Sequence, residues 1–197
     1  MSVPQQLRND PRWARLVDLV RELAFLDGGN DEAFTLASGR TSRWFFDMKP
    51  VMMHPEAGRL VGQLMNARCD EIGADFVGGL ELGAVPLAAL VVATDFTSER
   101  LGFMVRKQAK GRGGRKTNNP PGIEGASISE GGKVIILEDV TTTGGSAIQA
   151  VKRIEEETTC EVVAVISILD RQEGGKEAFE DAGIQFESLL VRSDISG

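Results

Sequence analysis

The chain has 197 residues, 42% of them hydrophobic and 26% charged, with 22 Lys and Arg against 29 Asp and Glu for a formal net charge of -7. That length suits one globular domain over 1–197 with a full hydrophobic core, and the acidic balance argues against broad binding to nucleic acid or membrane surfaces, which are themselves anionic. Cys69 and Cys160 lack metal-type spacing and His54 is the only histidine, which argues strongly against a structural zinc site and leaves open a single disulfide.

In chain order, Trp13, Leu16, Val17, Val20, Leu23 and Ala24 predict a helix over about 12–26, with Asp10 as N-cap and Pro11 at its first position. Ala33 to Arg40 and Arg43 to Met48 read as two short β segments around the Ser38-Gly39 turn. A second helix is predicted from Pro55 to Ile72, with His54 as a helix-start or surface residue. Strand and helix then alternate. Strands are predicted at Phe76 to Gly79, Leu101 to Val105, Lys133 to Leu137, Val162 to Leu169 and Phe186 to Val191. Helices are predicted at Val85 to Phe96, Gly145 to Glu157 and Lys176 to Ala182. Such alternation predicts an α/β fold, a mainly parallel central sheet flanked by helices. No apolar run reaches the roughly 18 residues that span a bilayer. The N-terminus, with Arg8, Asp10 and Arg12, has no signal-peptide core. The chain reads as cytoplasmic.

The segment Val134-Ile135-Ile136-Leu137-Glu138-Asp139-Val140-Thr141-Thr142-Thr143-Gly144-Gly145-Ser146 carries the strongest chemistry. An apolar strand runs into two carboxylates, and a Thr/Gly/Ser turn then opens a helix. Free N–H groups at a helix N-terminus, together with the hydroxyls, can wrap a phosphate. Adjacent acids repel an anion unless the ligand also brings hydroxyls or a cation. A ribose 2′,3′-diol can donate to Glu138 and Asp139, and a magnesium ion held mostly by the substrate offsets the charge, so no protein metal cage is expected.

Arg106, Lys107, Lys110, Arg112, Arg115 and Lys116 put six cations within eleven residues, with no acid among them. Gly111, Gly113, Gly114, Pro120, Pro121 and Gly122 deny the stretch any apolar period, so 106–125 reads as a mobile loop. In an acidic protein with a phosphate cradle, the expectation is a lid that closes over pyrophosphate.

The cradle resembles the phosphoribosyl pyrophosphate motif of type I phosphoribosyltransferases. The resemblance implies that Glu138 and Asp139 hold the ribose hydroxyls and that Thr141 to Ser146, with Val140 alongside, hold the 5′-phosphate. Arg106-Lys107-x-x-Lys110-x-x-Gly113 is similar to the catalytic loop of orotate phosphoribosyltransferases. The implied catalytic set is then Arg106, Lys107, Lys110 and Asp139, with Arg112 a further donor-site cation. In that family the loop reaches the neighbouring subunit's site, which implies a homodimer. Phe34 to Arg40 followed by Ser42 to Phe46 resembles the family's N-terminal hood, contributed here by about 1–50, with Phe45 and Phe46 beside the base. Gly78 to Pro86 resembles its pyrophosphate loop. Leu169-Asp170-Arg171-Gln172-Glu173 resembles a strand-end motif in which Arg171 takes the orotate carboxylate bidentately, with Thr142 beside the base. The chain departs from the family at Ala37 and Leu82, where relatives carry Lys, and at Arg112, where His is usual. Arg keeps the charge but exchanges no proton near neutral pH.

The resemblance implies a magnesium-dependent transfer of ribosyl 5-phosphate to orotate, giving orotidine 5′-phosphate and pyrophosphate in de novo pyrimidine synthesis. A transferase for another base, or a ligand-sensing regulator on the same fold, shares the cradle. The first has no need of Arg171 against a carboxylate, and the second binds the donor without consuming it.

Overall fold

The computed structural model describes residues 2–29, 34–35, 41–97, 99–108 and 117–196. The N-terminal part comprises α1 (Gln5–Arg8), α2 (Pro11–Leu23), β1 (Phe25–Asp27), β2 (Phe34–Thr35), β3 (Thr41–Ser42), β4 (Trp44–Phe46), α3 (Lys49–Met52) and α4 (Pro55–Ile72). Then follow β5 (Phe76–Leu80), α5 (Ala84–Ala93), β6 (Leu101–Val105), β7 (Ile123–Gly125) and β8 (Gly132–Thr141). The chain continues through α6 (Gly145–Glu157), β9 (Cys160–Asp170), α7 (Gly175–Asp181), β10 (Phe186–Val191) and α8 (Arg192–Ser196).

Six strands form the central sheet in the order β10-β9-β8-β5-β6-β7. Every pairing in it is parallel except β6 with β7. Both faces are covered, as a parallel sheet requires. Along β8, Ile135 and Leu137 join the core under α2, α4 and α5, while Val134 and Ile136 join the core under α6 and α7. A strand buried on both faces reads as an unbroken apolar run, which is how it stands in the sequence. The α2 cap is as expected, the Asp10 carboxylate accepting from the Arg12 N–H at 2.8 Å. His54 caps α4 through Nδ1, which accepts from the Ala57 N–H at 3.3 Å. Both cysteines are free and buried.

Several expectations need correction. The first helix ends at Leu23, and Phe25–Asp27 becomes β1, paired antiparallel with β4. Helical spacing at Phe25 and Leu26 yields there to a strand partner about twenty residues downstream, a tertiary effect that outweighs local pattern. The helix expected to reach Phe96 stops at Ala93, where the Thr94 hydroxyl donates to the Leu90 carbonyl at 2.7 Å. The stretch 106–125 is not loop throughout, since Ile123–Gly125 is a strand paired with β6. Helix α3 was not anticipated. Strand β8 runs on through Thr141, so the two acids stand on the sheet and not in the turn.

Candidate active site

The winding of the sheet locates the site. From β5 the chain moves outward to β6 and β7, whereas from β8 it moves the other way to β9 and β10. Ligands of open α/β sheets bind in the crevice beyond the strand C-termini at such a reversal. Here the crevice lies between the loop after β5 and the end of β8, which carry the expected pyrophosphate loop and the phosphate cradle.

At the cradle, Gly144 adopts φ +75° and no side chain caps α6, whose first turn opens at Gly145 and Ser146. Thr143, Gly145 and Ser146 are exposed and Thr142 is half-buried. Thr141 is buried, and its hydroxyl donates to a Glu138 carboxylate oxygen at 2.6 Å. Its side chain supports Glu138, leaving the open hydroxyls of the turn to Thr142, Thr143 and Ser146.

Burial pushes the Glu138 carboxyl up to about 7, and the charge of Asp139 adds to the rise; the Thr141 hydroxyl and the Ala147 N–H pull the other way. Asp139 is raised as well, chiefly by burial, and the positive charge of Lys49 opposes that rise. Lys49 reaches this neighbourhood from α3, ninety residues earlier, so no spacing in the sequence marks it. Val140 stands half-buried between the acids and the turn. Gly83 closes the opposite wall: a Cβ there would lie 2.3 Å from Asp139 Cγ, so the loop after β5 approaches the carboxylate as closely as backbone allows. The Glu81–Leu82 peptide in that loop is cis.

A consequence for stability follows from Glu138. Its folded value, about 7, lies above the ordinary 4.5. Between those values the folded protein holds a proton that the unfolded chain has lost. This group therefore lowers stability as pH rises from 4.5 through 7, and the loss is complete above that. Glu138→Gln is expected to gain about 2–3 kcal/mol in denaturant unfolding at pH 8, with the gain fading below pH 5. An equal gain at both pH values would show that charge burial is not its cause.

The start of the basic loop lies beside the cradle. Arg106 is half-buried and pairs with Glu124 at 3.4 Å. Lys107 is exposed, its N–H donating to Glu81 Oε1 at 2.8 Å. Lys107 and Gly145 line one open cavity of about 470 Å³. Lys110 and Arg112, with Ala37 of the hood, lie outside the described residues.

Arg171 is 4% exposed at the end of β9. Its N–H donates to the Thr141 carbonyl at 2.9 Å, joining the end of β9 to the end of β8. The guanidinium donates to Ser42 Oγ at 3.0 Å and the Trp44 carbonyl at 3.1 Å, and pairs with Glu173 at 2.8 Å. Its Nε is buried without a hydrogen-bond partner. Such a donor costs about 1–3 kcal/mol until an oxygen reaches it. The two hood aromatics separate, because successive strand residues point to opposite faces. Phe46 is 6% exposed in the core, with Arg171 over its ring at 5.8 Å. Phe45 is half-buried against Phe34 at 5.7 Å. The contacts of Ser42 and Trp44 with Arg171, and the approach of Lys49, have no local signature in the sequence.

A phosphate cradle at the reversal point of a parallel α/β sheet, roofed by a small β hood, defines a phosphoribosyltransferase. The model of the phosphoribosyl transferase domain matches residues 51–186. Over 186 residues the chain is 41% identical to an orotate phosphoribosyltransferase of Rhodopseudomonas palustris (strain BisB5), covering 92% of this chain and 94% of that one. It superposes with a TM-score of 0.80 on Mycobacterium tuberculosis orotate phosphoribosyltransferase in complex with Fe(III) dicitrate, at 33% identity over 95% of this chain and 100% of that chain. The same M. tuberculosis enzyme in complex with 5-phospho-alpha-D-ribosyl 1-diphosphate gives 0.76 at 32% identity, with 95% and 100% covered. The chain belongs to the orotate phosphoribosyltransferase family.

Proposed function

We infer that this chain transfers the ribosyl 5-phosphate of phosphoribosyl pyrophosphate to N1 of orotate, releasing pyrophosphate and forming orotidine 5′-phosphate, a step of pyrimidine nucleotide synthesis. The observation that carries this reading is the crevice itself. An uncapped helix N-terminus with free hydroxyls stands beside two carboxylates, and a buried arginine with an unmatched donor stands at the base end. Thr142, Thr143, Gly144, Gly145 and Ser146 take the 5′-phosphate. Glu138 and Asp139 accept from the ribose hydroxyls, and Asp139 faces the loop of Gly83 where the pyrophosphate lies. Arg171 takes the orotate carboxylate, with Thr142 and Phe45 beside the ring; Phe46 acts through Arg171. Orotate is already an anion, so little base catalysis is needed. The chain's residues orient both reactants and neutralise the leaving group, Arg106 and Lys107 from the start of the basic loop and Lys110 and Arg112 further along it.

Magnesium fits this arrangement as a substrate-borne ion. Among the described residues no group of three or more His, Cys, Asp or Glu converges, yet Glu138 and Asp139 stand side by side where burial raises both carboxyls. A cation carried by the pyrophosphate offsets the charge of these two carboxylates and screens the leaving group. A homodimer fits the apolar surface. Val85, Ala89, Val92 and Phe103 line an apolar groove between α5 and β6, and Phe96, three residues past the end of α5, is 87% exposed. Exposed apolar surface of this kind marks an interaction face, which a second copy of the chain would cover. No described helix is long and apolar enough to cross a membrane, and two free thiols suit the reducing cytoplasm, where this reaction is placed.

The test is orotate consumption followed by ultraviolet absorbance with phosphoribosyl pyrophosphate and magnesium, repeated with adenine, hypoxanthine and uracil. Loss of orotate alone, abolished by chelating the magnesium, is the expected result. Consumption of another base in its place assigns a different acceptor. Donor binding without turnover of any base assigns a sensor.

A further inference from the structure

We propose that Arg153, the ninth residue of α6, is a positioning residue that clamps both feet of the basic loop to the helix bearing the phosphate cradle. This rests on the reading of that loop as the pyrophosphate-binding element and adds a residue that the cradle and loop motifs do not contain. The Arg153 Nη1 donates to the Arg106 carbonyl at 2.6 Å. The Arg106 N–H donates to the Gly122 carbonyl at 2.8 Å, closing the foot of the loop where the chain returns. The guanidinium lies flat beneath that return: at Gly122, where φ is +99°, a Cβ would sit 3.2 Å from Arg153 Nη1 and 3.3 Å from Cζ. Glu157, one turn along α6, holds Arg153 Nε at 3.0 Å and so fixes the plane of the fork.

A second anchor acts on the next residue from the other wall. Glu81 accepts from the Lys107 N–H at 2.8 Å, and its own N–H donates to the Val105 carbonyl at 2.8 Å. The peptide groups around Arg106 and Lys107 are therefore held from two sides, by α6 and by the loop after β5. The same helix presents its N-terminus at Gly145 to the phosphate site, and Lys107, Gly145 and Arg153 border one cavity. Arg153 thus fixes the point from which the basic loop leaves the helix that bears the cradle. A planar fork suits the task, since one side chain donates to a carbonyl, pairs with an acid and packs flat against a glycine. An ordinary exposed i,i+4 helix pair with Glu157 involves neither Arg106 nor Gly122.

The experiment titrates wild type and Arg153→Ala by calorimetry with two probes, pyrophosphate with magnesium and ribose 5-phosphate. Pyrophosphate affinity is expected to fall about tenfold, the size of one lost charge-assisted hydrogen bond. Ribose 5-phosphate affinity is expected to stay within about twofold, since its cradle is untouched. Arg153→Lys, which can still donate to the Arg106 carbonyl, should recover part of the loss. Should Arg153→Ala not fold, Arg153→Gln carries the same comparison. Unchanged pyrophosphate affinity overturns the proposal alone. Equal losses for both probes also overturn it, because they mean that Arg153 merely supports α6. Wild type that binds ribose 5-phosphate but not pyrophosphate overturns the reading of the loop, and the proposal with it.

Discussion

Lys107→Ala is expected to lower kcat for orotidine 5′-phosphate formation by about a hundredfold, the cost typical of removing a preorganised group from a developing charge. The unfolding temperature should be unaltered. The side chain is exposed, and its main-chain anchor, the N–H donated to Glu81, survives the substitution. Nothing in the core therefore changes, while the bond to departing pyrophosphate loses a cation where negative charge grows. Steady-state kinetics over both substrates, with a thermal melt of the same preparation, measures both halves. Turnover near that of wild type would refute the role assigned to the loop. A large drop accompanied by a lower melting temperature would mean that Lys107 matters to the fold instead.

Arg171→Ala is expected to act on the base and on the hood together. The KM for orotate should rise by about a hundredfold or more, since truncating one member of a buried, hydrogen-bonded charge pair costs about 2–5 kcal/mol. Stability should fall by about 3 kcal/mol, because Glu173 loses its buried partner and Ser42 and the Trp44 carbonyl lose the donor that ties the hood to β9. Arg171→Lys should not restore orotate binding, for a point charge cannot present the planar fork. Uracil, which has no carboxylate, provides the control. Any trace turnover of uracil should suffer far less, so the preference for orotate over uracil collapses. A variant that keeps that preference would show that another group reads the carboxylate.

How much of this could be read in advance depended on how far apart the cooperating residues stand. The cradle was legible because its parts are contiguous: four apolar residues, two acids, then hydroxyls and glycines that open a helix. Strand Leu101–Val105, helix Gly145–Glu157 and strand Phe186–Val191 run between the expected residues, since local periodicity is plain where an element packs its apolar residues against the core. Arg171 was singled out from its neighbours Asp170 to Glu173. Its hold on Ser42 and Trp44, more than 120 residues earlier, was invisible.

The sequence by itself determined the order of strands and helices, the cradle, the basic loop and the family to which they belong. Each is written in adjacent residues whose chemistry needs no partner to be recognised. Tertiary structure alone decided that Phe25–Asp27 is a strand, because its partner β4 lies across the hood. It alone decided that Phe46 belongs to the core, that Lys49 stands near Asp139, and that Arg153 grips the foot of the loop. The rise of Glu138 to about 7 belongs there too, since a carboxyl's affinity for its proton follows the water and charge around it, and these exist only once the sheet has closed over the chain.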